Sequence, residues 1–143
     1  MPDDHITRAT ITVKAPVEKV WTALVTPATI KKFMFGSTVA SDFREGSRIT
    51  WSGEWQDRPY EDKGKILEVE RNRVLRYSHF SPLSGLPDVP ENYHTVRIEL
   101  SGAGQHTTVT LAQDNNPTEQ ARDHSQENWE AMLTSLKSVV EGS

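Results

Sequence analysis

The sequence predicts an α+β fold: a curved antiparallel sheet of about six to seven strands wrapped around a long C-terminal helix, with two short helices after the first strand. Three observations carry this expectation. The chain opens on a segment of period two and passes into two short helical stripes. A long succession of period-two segments follows, and the chain closes on a helical stripe much longer than the first two. An antiparallel sheet with one apolar face, laid against a long amphipathic helix, buries the apolar sides of both.

Ile6 to Val13 alternates, with Thr7, Ala9, Ile11 and Val13 on one side and Ile6, Arg8, Thr10 and Thr12 on the other, and its β-branched content favours a strand. At Ala15-Pro16 the period changes. Val17, Val20, Trp21, Leu24 and Val25 make one helical stripe, with Pro16 expected at the first helical position. Thr26-Pro27 repeats the device: Thr26 as cap, Pro27 as start, and Ile30, Phe33 and Met34 as the apolar face that Gly36 ends. A β region runs from about Thr38 to Gln113. In it Ile49, Trp51, Gly53 and Trp55 share a face, Asp57-Arg58-Pro59 reads as a turn, and Lys65–Glu70 reads as a strand. Leu75, Tyr77 and His79 share the next face, and Val96, Ile98 and Leu100 the one after. Ser81 to Asn92 carries Pro82, Gly85, Pro87 and Pro90 and is expected to be a long loop. Gly102-Ala103-Gly104 makes a hairpin into the last strand, where Thr107, Val109, Leu111 and Gln113 share a face. Asn116-Pro117-Thr118-Glu119 is expected to start the final helix, with Asn116 as cap. The stripe Trp129, Met132, Leu133, Leu136 and Val140 extends back through Ser125 and Arg122. A helix of about 24 residues would be about 36 Å long, enough to cross a sheet.

At 143 residues the chain is expected to form a single domain over 1–143. Sixteen Lys and Arg against twenty Asp and Glu give a formal charge of −4, which speaks against binding a phosphate backbone, so no nucleic-acid partner is expected. There is no cysteine, which excludes disulfides, thiol nucleophiles and thiolate metal ligation. The acidic N-terminus Met1-Pro2-Asp3-Asp4-His5 lacks the pattern of a signal peptide, and no apolar run approaches the length of a membrane span, so a cytoplasmic location is expected.

Three stretches resemble a known superfamily. Ala15-Pro16-Val17-Glu18-Lys19-Val20-Trp21-Thr22-Ala23-Leu24 is similar to its opening strand-to-helix segment. Phe43-Arg44-Glu45-Gly46-Ser47 with Ile49-Thr50-Trp51 is similar to its acidic–Gly–strand segment, and Asn128-Trp129-Glu130-Ala131-Met132-Leu133 to its C-terminal helix. The chain, over about Ile6 to Val140, thus resembles the START-like (SRPBCC, Bet v 1-like) helix-grip superfamily, in the branch related to the C-terminal domain of heat-shock protein 90 ATPase activators. It departs from that pattern where Phe33-Met34-Phe35 replaces a common Trp-Trp and where Asn128 replaces a common Gly. The resemblance implies a cavity between the sheet and the long helix. Relatives use it for lipids, flavonoid-like molecules, steroids or polyketides, some as cyclases or hydrolases, while the co-chaperone branch binds a protein.

The residues themselves offer no compact catalytic motif. His5, His79, His94, His106 and His124 lack metal-ligand spacing, although His79 and His94 approach if their strands are neighbours, and neither a metal nor a cofactor is expected. No G-x-S-x-G elbow occurs; Ser84-Gly85 reads as a turn. Glu68, Glu70 and the Glu61-Asp62 pair, placed near a turn, read as solvated carboxylates. The stronger signal is the inner faces, where Trp51, Trp55, Tyr77, His79, Gln113, Trp129 and Met132 converge with aliphatic neighbours into apolar and aromatic walls carrying a few polar groups. Ser125 and Arg122 are expected towards one end of the helix, with Arg122 placed to meet an anionic group such as a carboxylate. The Ser81–Asn92 loop is expected to gate the mouth. The leading expectation is non-enzymatic binding of a small hydrophobic ligand at these residues. One alternative is a cyclase, aromatase or hydrolase using His79 or Tyr77 on a polyketide-like substrate. The other is a co-chaperone-like domain with a chaperone partner. The oligomeric state is left open, because apolar positions serve a core and an interface equally.

Overall fold

The computed structural model describes residues 5–142, without the side chains of Trp55 and Leu83. The elements follow in the order β1 (Thr7–Val13), α1 (Val17–Leu24), α2 (Pro27–Phe33), β2 (Thr38–Ser41), β3 (Arg48–Trp55), β4 (Arg58–Glu70), β5 (Val74–His79), β6 (His94–Ala103), β7 (His106–Gln113) and α3 (Glu119–Glu141). All seven strands join one antiparallel sheet in the order β1-β7-β6-β5-β4-β3-β2. β1 is first in sequence but pairs with the last strand, Ala9 opposite Leu111 and Val13 opposite Thr107. The helix-grip architecture expected from the sequence is present: α3 packs on β1 and α2, against the face that buries the sheet's apolar residues.

The period-two reading of β1 holds, since Thr7, Ala9 and Val13 are buried while Arg8 and Thr10 face solvent. On β5, β6 and β7 the inward sets Leu75/Tyr77, Val96/Ile98/Leu100 and Val109/Leu111 meet Ile66 from β4 and Leu133, Leu136 and Val140 from α3. A sheet edge with free N–H and C=O groups invites foreign pairing. At β1 the helix covers that edge: Gln126 Oε1 accepts from the Arg8 N–H at 3.2 Å, Glu141 from the Lys14 N–H at 2.7 Å, and Lys137 donates to the Thr12 carbonyl at 3.1 Å. No helix among the described residues is long and apolar enough to cross a membrane.

Four local readings are corrected. Pro16 is the N-cap of α1 rather than its first residue, and Thr26 caps α2 by position only, because its hydroxyl donates back to the Thr22 carbonyl at 2.6 Å. Asp57-Arg58-Pro59 is not a loop: the turn is the two-residue Gln56-Asp57, with φ of 51° and 63°, and β4 begins at Arg58 and runs for 13 residues. Residues flanking such a turn form a hydrogen-bonded pair, so the next pair, Glu54 with Pro59, does not, and the proline nitrogen faces away from β3. Beyond it β5 has already ended, so no bond is lost. The cap of α3 is Thr118, whose hydroxyl accepts from the Ala121 N–H at 3.0 Å; Asn116 is instead buried and bonded to β1.

Candidate functional site

Where α3 leaves the sheet, a cleft of about 500 Å³ opens between them. Its floor is aromatic. Trp51 on β3 meets two β5 rings, Tyr77 at 5.2 Å and His79 at 5.0 Å between centroids. β4 lies between those strands, with Asp62 opposite Trp51 and Gly64 opposite Ile49. Trp129, Ala131 and Met132 of α3 form the opposite wall. Below, Met34, Trp51, Tyr77, Trp129 and Met132 also border a small apolar space of about 30 Å³ that reaches the core at Leu75, Ile98 and Leu111. The cleft is therefore the open end of the core itself.

A polar chain fixes one wall. The Trp129 indole donates to Gln113 Oε1 at 2.6 Å, Gln113 Nε2 donates to Asn116 Oδ1 at 3.4 Å, and Asn116 Nδ2 donates to the His5 carbonyl and Thr7 Oγ1 at 2.5 and 3.2 Å. Gln113 thus lines the cleft with both ends of its amide engaged, and it orients the Trp129 ring. On the opposite wall His79 Nε2 lies 2.9 Å from Asp62 Oδ2. The His79 ring also stacks on His94 at 6.1 Å, its register partner on β6. Burial raises the Tyr77 phenol above its ordinary range, and its hydroxyl has no hydrogen-bond partner among the described residues. At the rim, the Tyr60 ring lies over Gly53, where a Cβ would stand 2.8 Å from the Tyr60 oxygen, and the Tyr60 and Ser37 hydroxyls are 2.6 Å apart.

Of the residues named from sequence, Trp51, Tyr77, His79, Gln113, Trp129 and Met132 are brought together around the cleft. The Trp55 side chain lies outside the described residues. Arg122 and Ser125 do not line it. Arg122 reaches Glu119 and Asp123 at 3.5 and 3.3 Å on the helix surface, because the first turns of α3 face Thr7 and β1 rather than the cleft. The expected gate is also corrected. Among the described side chains of the Ser81–Asn92 segment, only Ser81 borders the cleft. Further along the segment, Asp88 takes the Lys63 ammonium and accepts from the Tyr93 hydroxyl at 2.6 Å. Those two donors hold the Asp88 carboxyl below its usual range. The mouth is bordered instead by Met34, Phe35 and Ser37, between α2 and β2. Sequence reasoning took Asp62 for a solvated carboxylate, noted Phe35 only as a departure from the family pattern, and missed Glu54, Tyr60 and Ser37; Asp62 and Tyr60 had a signal, being polar or aromatic residues in a strand hidden by Pro59. No group of three or more His, Asp or Glu side chains converges as metal ligands among the described residues.

Comparison with known proteins places this geometry. The chain is 52% identical to ChR145 from Cytophaga hutchinsonii, whose solution structure superposes with a TM-score of 0.84 over 96% of this chain and 94% of that one. CalU16 from Micromonospora echinospora is 24% identical, with a TM-score of 0.72 over 94% of this chain and 83% of its own. Aha1 from Colwellia psychrerythraea, solved as a dimer, is 21% identical with a TM-score of 0.73, covering 95% and 96%. No curated protein matches the chain in sequence. The family model described as activator of Hsp90 ATPase homolog 1-like protein matches residues 14–141, nearly the whole of the sheet and its helix. The chain belongs to this family of Hsp90 ATPase activator homolog 1-like proteins, within the SRPBCC, Bet v 1-like superfamily.

Proposed function

We propose that the protein binds a small hydrophobic molecule, of lipid, polyketide or flavonoid type, between its sheet and α3. The observation that carries this reading is the cleft of about 500 Å³ whose walls combine Trp51, Tyr77, Trp129 and Met132 with polar groups on both sides, Gln113 on one and Asp62 with His79 on the other. Drug-sized ligands occupy clefts of about 300–1,000 Å³ lined in this way. The reading is tested by an amide chemical-shift screen against lipids and aromatic natural products. Saturable shifts clustered at Tyr77, His79, Trp129 and Met132 are the expected result. Failure of every compound to shift those amides overturns it and leaves a protein partner, as in the co-chaperone branch, as the function to pursue.

A second reading, acid–base catalysis on the bound molecule, is favoured by the Asp62–His79 contact. With Nε2–H donated to the carboxylate, Nδ1 becomes a proton acceptor of fixed orientation. This tautomer follows from the partner, as hydrogens are assigned from the network. Turnover of a bound compound that disappears in His79→Ala, with the fold intact, would support it. Unchanged turnover in that variant would exclude it.

A further inference from the structure

The charge of the guest follows from the side chains that border the cleft, given that the cleft binds a small molecule as proposed above. Among the described residues they include the Asp62 carboxylate beside His79 and, at the rim, the exposed Glu54, and no Lys or Arg. Lys32, two residues from Met34, and Arg58, two residues from Tyr60, are exposed and outside the lining, and other cations nearby in sequence are paired elsewhere. Lys63, next to Asp62 on β4, pairs with Asp88 on the far loop. Arg76 and Arg97, each next to an inward residue of β5 and β6, pair with Glu68 and Glu99. Arg122 pairs with Glu119 and Asp123. His79 brings no net positive charge either: unprotonated it carries none and leaves the Asp62 charge free, and a proton gained on its ring is matched by the Asp62 carboxylate 2.9 Å away, with Glu54 at the rim then the remaining charge.

The geometry points to a guest with an aromatic or polycyclic body and a neutral or cationic polar end, an aromatic amine above all, and to exclusion of carboxylate-bearing amphiphiles such as fatty acids. A carboxylate carried into this cleft loses water, finds no cation and meets a like charge at Asp62, with Glu54 at the rim. An ammonium finds Asp62, and Glu54 at the rim, together with the Trp129 and Trp51 rings that border the cleft, and aromatic rings attract cations through their quadrupole. A neutral hydroxyl loses little in either direction. Charge selection of this sign is the reverse of what an Arg122 inside the site would have produced.

The test uses three fluorescent probes with one ring system: 9-anthracenylmethylamine, 9-anthracenemethanol and anthracene-9-carboxylate, titrated into the full chain at pH 7 and low salt. The amine is expected to bind tightest and the carboxylate about tenfold or more weaker than the alcohol. In Glu54→Gln/Asp62→Asn the amine-to-carboxylate ratio is expected to fall by about tenfold, with an unchanged thermal melt as the control for an intact fold, and an unchanged ratio in the folded variant overturns the selection. A carboxylate that binds as well as the alcohol overturns the charge selection while leaving the cleft as a binding site. If none of the three probes shifts the Trp129 indole resonance, the binding reading falls and the selection falls with it.

Discussion

Replacing Gly64 by alanine is expected to disrupt both the fold and the cleft. A Cβ at this position would lie 1.8 Å from the Ser78 carbonyl oxygen and 3.3 Å from the His79 nitrogen. Both are backbone atoms, so no side chain can rotate away. Real contacts of this kind stay beyond 3.0 Å, so β4 and β5 must part by at least 1.2 Å. Three bonds span this point: Lys63 N–H to the Phe80 carbonyl at 3.0 Å, Phe80 N–H to the Lys63 carbonyl at 2.8 Å, and Lys65 N–H to Ser78 Oγ at 3.0 Å. A shift of that size carries all three out of range. At roughly 1 kcal/mol each the loss is about 3 kcal/mol, before any overpacking strain. Domains of this size lose about 4 °C per kcal/mol, so the melting temperature should fall by about 12 °C. Urea unfolding and a thermal melt followed by circular dichroism measure this, and the His79 ring resonances report the loss of Asp62. A change below about 1 kcal/mol would refute the close approach of the two strands and the positioning of His79 derived from it.

Two further outcomes follow from groups already placed. Burial holds the Tyr77 phenol above the value it has in the unfolded chain, so the folded state keeps a proton that the unfolded state releases. That contribution is intact below pH 10 and is lost as pH rises above it. Urea midpoints should therefore drop from pH 10 upward, and Tyr77→Phe should flatten the drop while changing little at pH 7. Asn116→Ala removes a buried amide that serves His5, Thr7 and Gln113. It should cost about 2–4 kcal/mol in chemical denaturation, and the Trp129 indole N–H resonance should move as Gln113 loses its anchor.

How far the sequence predicts this molecule depends on whether burial leaves a period. β1, β5, β6 and β7 bury one face along their length, and their alternation assigns Tyr77, His79 and Gln113 to the side they occupy. In α3 the spacing from Trp129 to Val140 tracks the core, and the structure buries Leu133, Leu136 and Val140. Carried backwards the same spacing reaches Arg122, but helical period records only direction around the axis. It does not tell what lies opposite, and here that is the end of β1. The first half of β4, Arg58 to Gly64, carries no apolar alternation because it runs past the end of β5 and borders the cleft. Its proline, allowed by an unpaired side, completes the disguise. Asp62 and Tyr60 were hidden for that reason, so the sequence predicts the aromatic floor and not the carboxylate that holds His79. The Asn116 and Thr118 reversal has another cause. Both are good capping residues, and only the buried partners on β1 decide which one is drawn inward.

The claim on which the rest depends is that the cleft between β3–β5 and α3 receives a guest. The most direct measurement is an isotope-filtered nuclear Overhauser experiment on the labelled protein saturated with the tightest compound from the screen. The account predicts ligand contacts to the Trp51, Tyr77 and Trp129 rings and the Met132 methyl, all from one bound orientation. Contacts confined to the solvent face of the sheet, or to the Ser81–Asn92 loop, would contradict it.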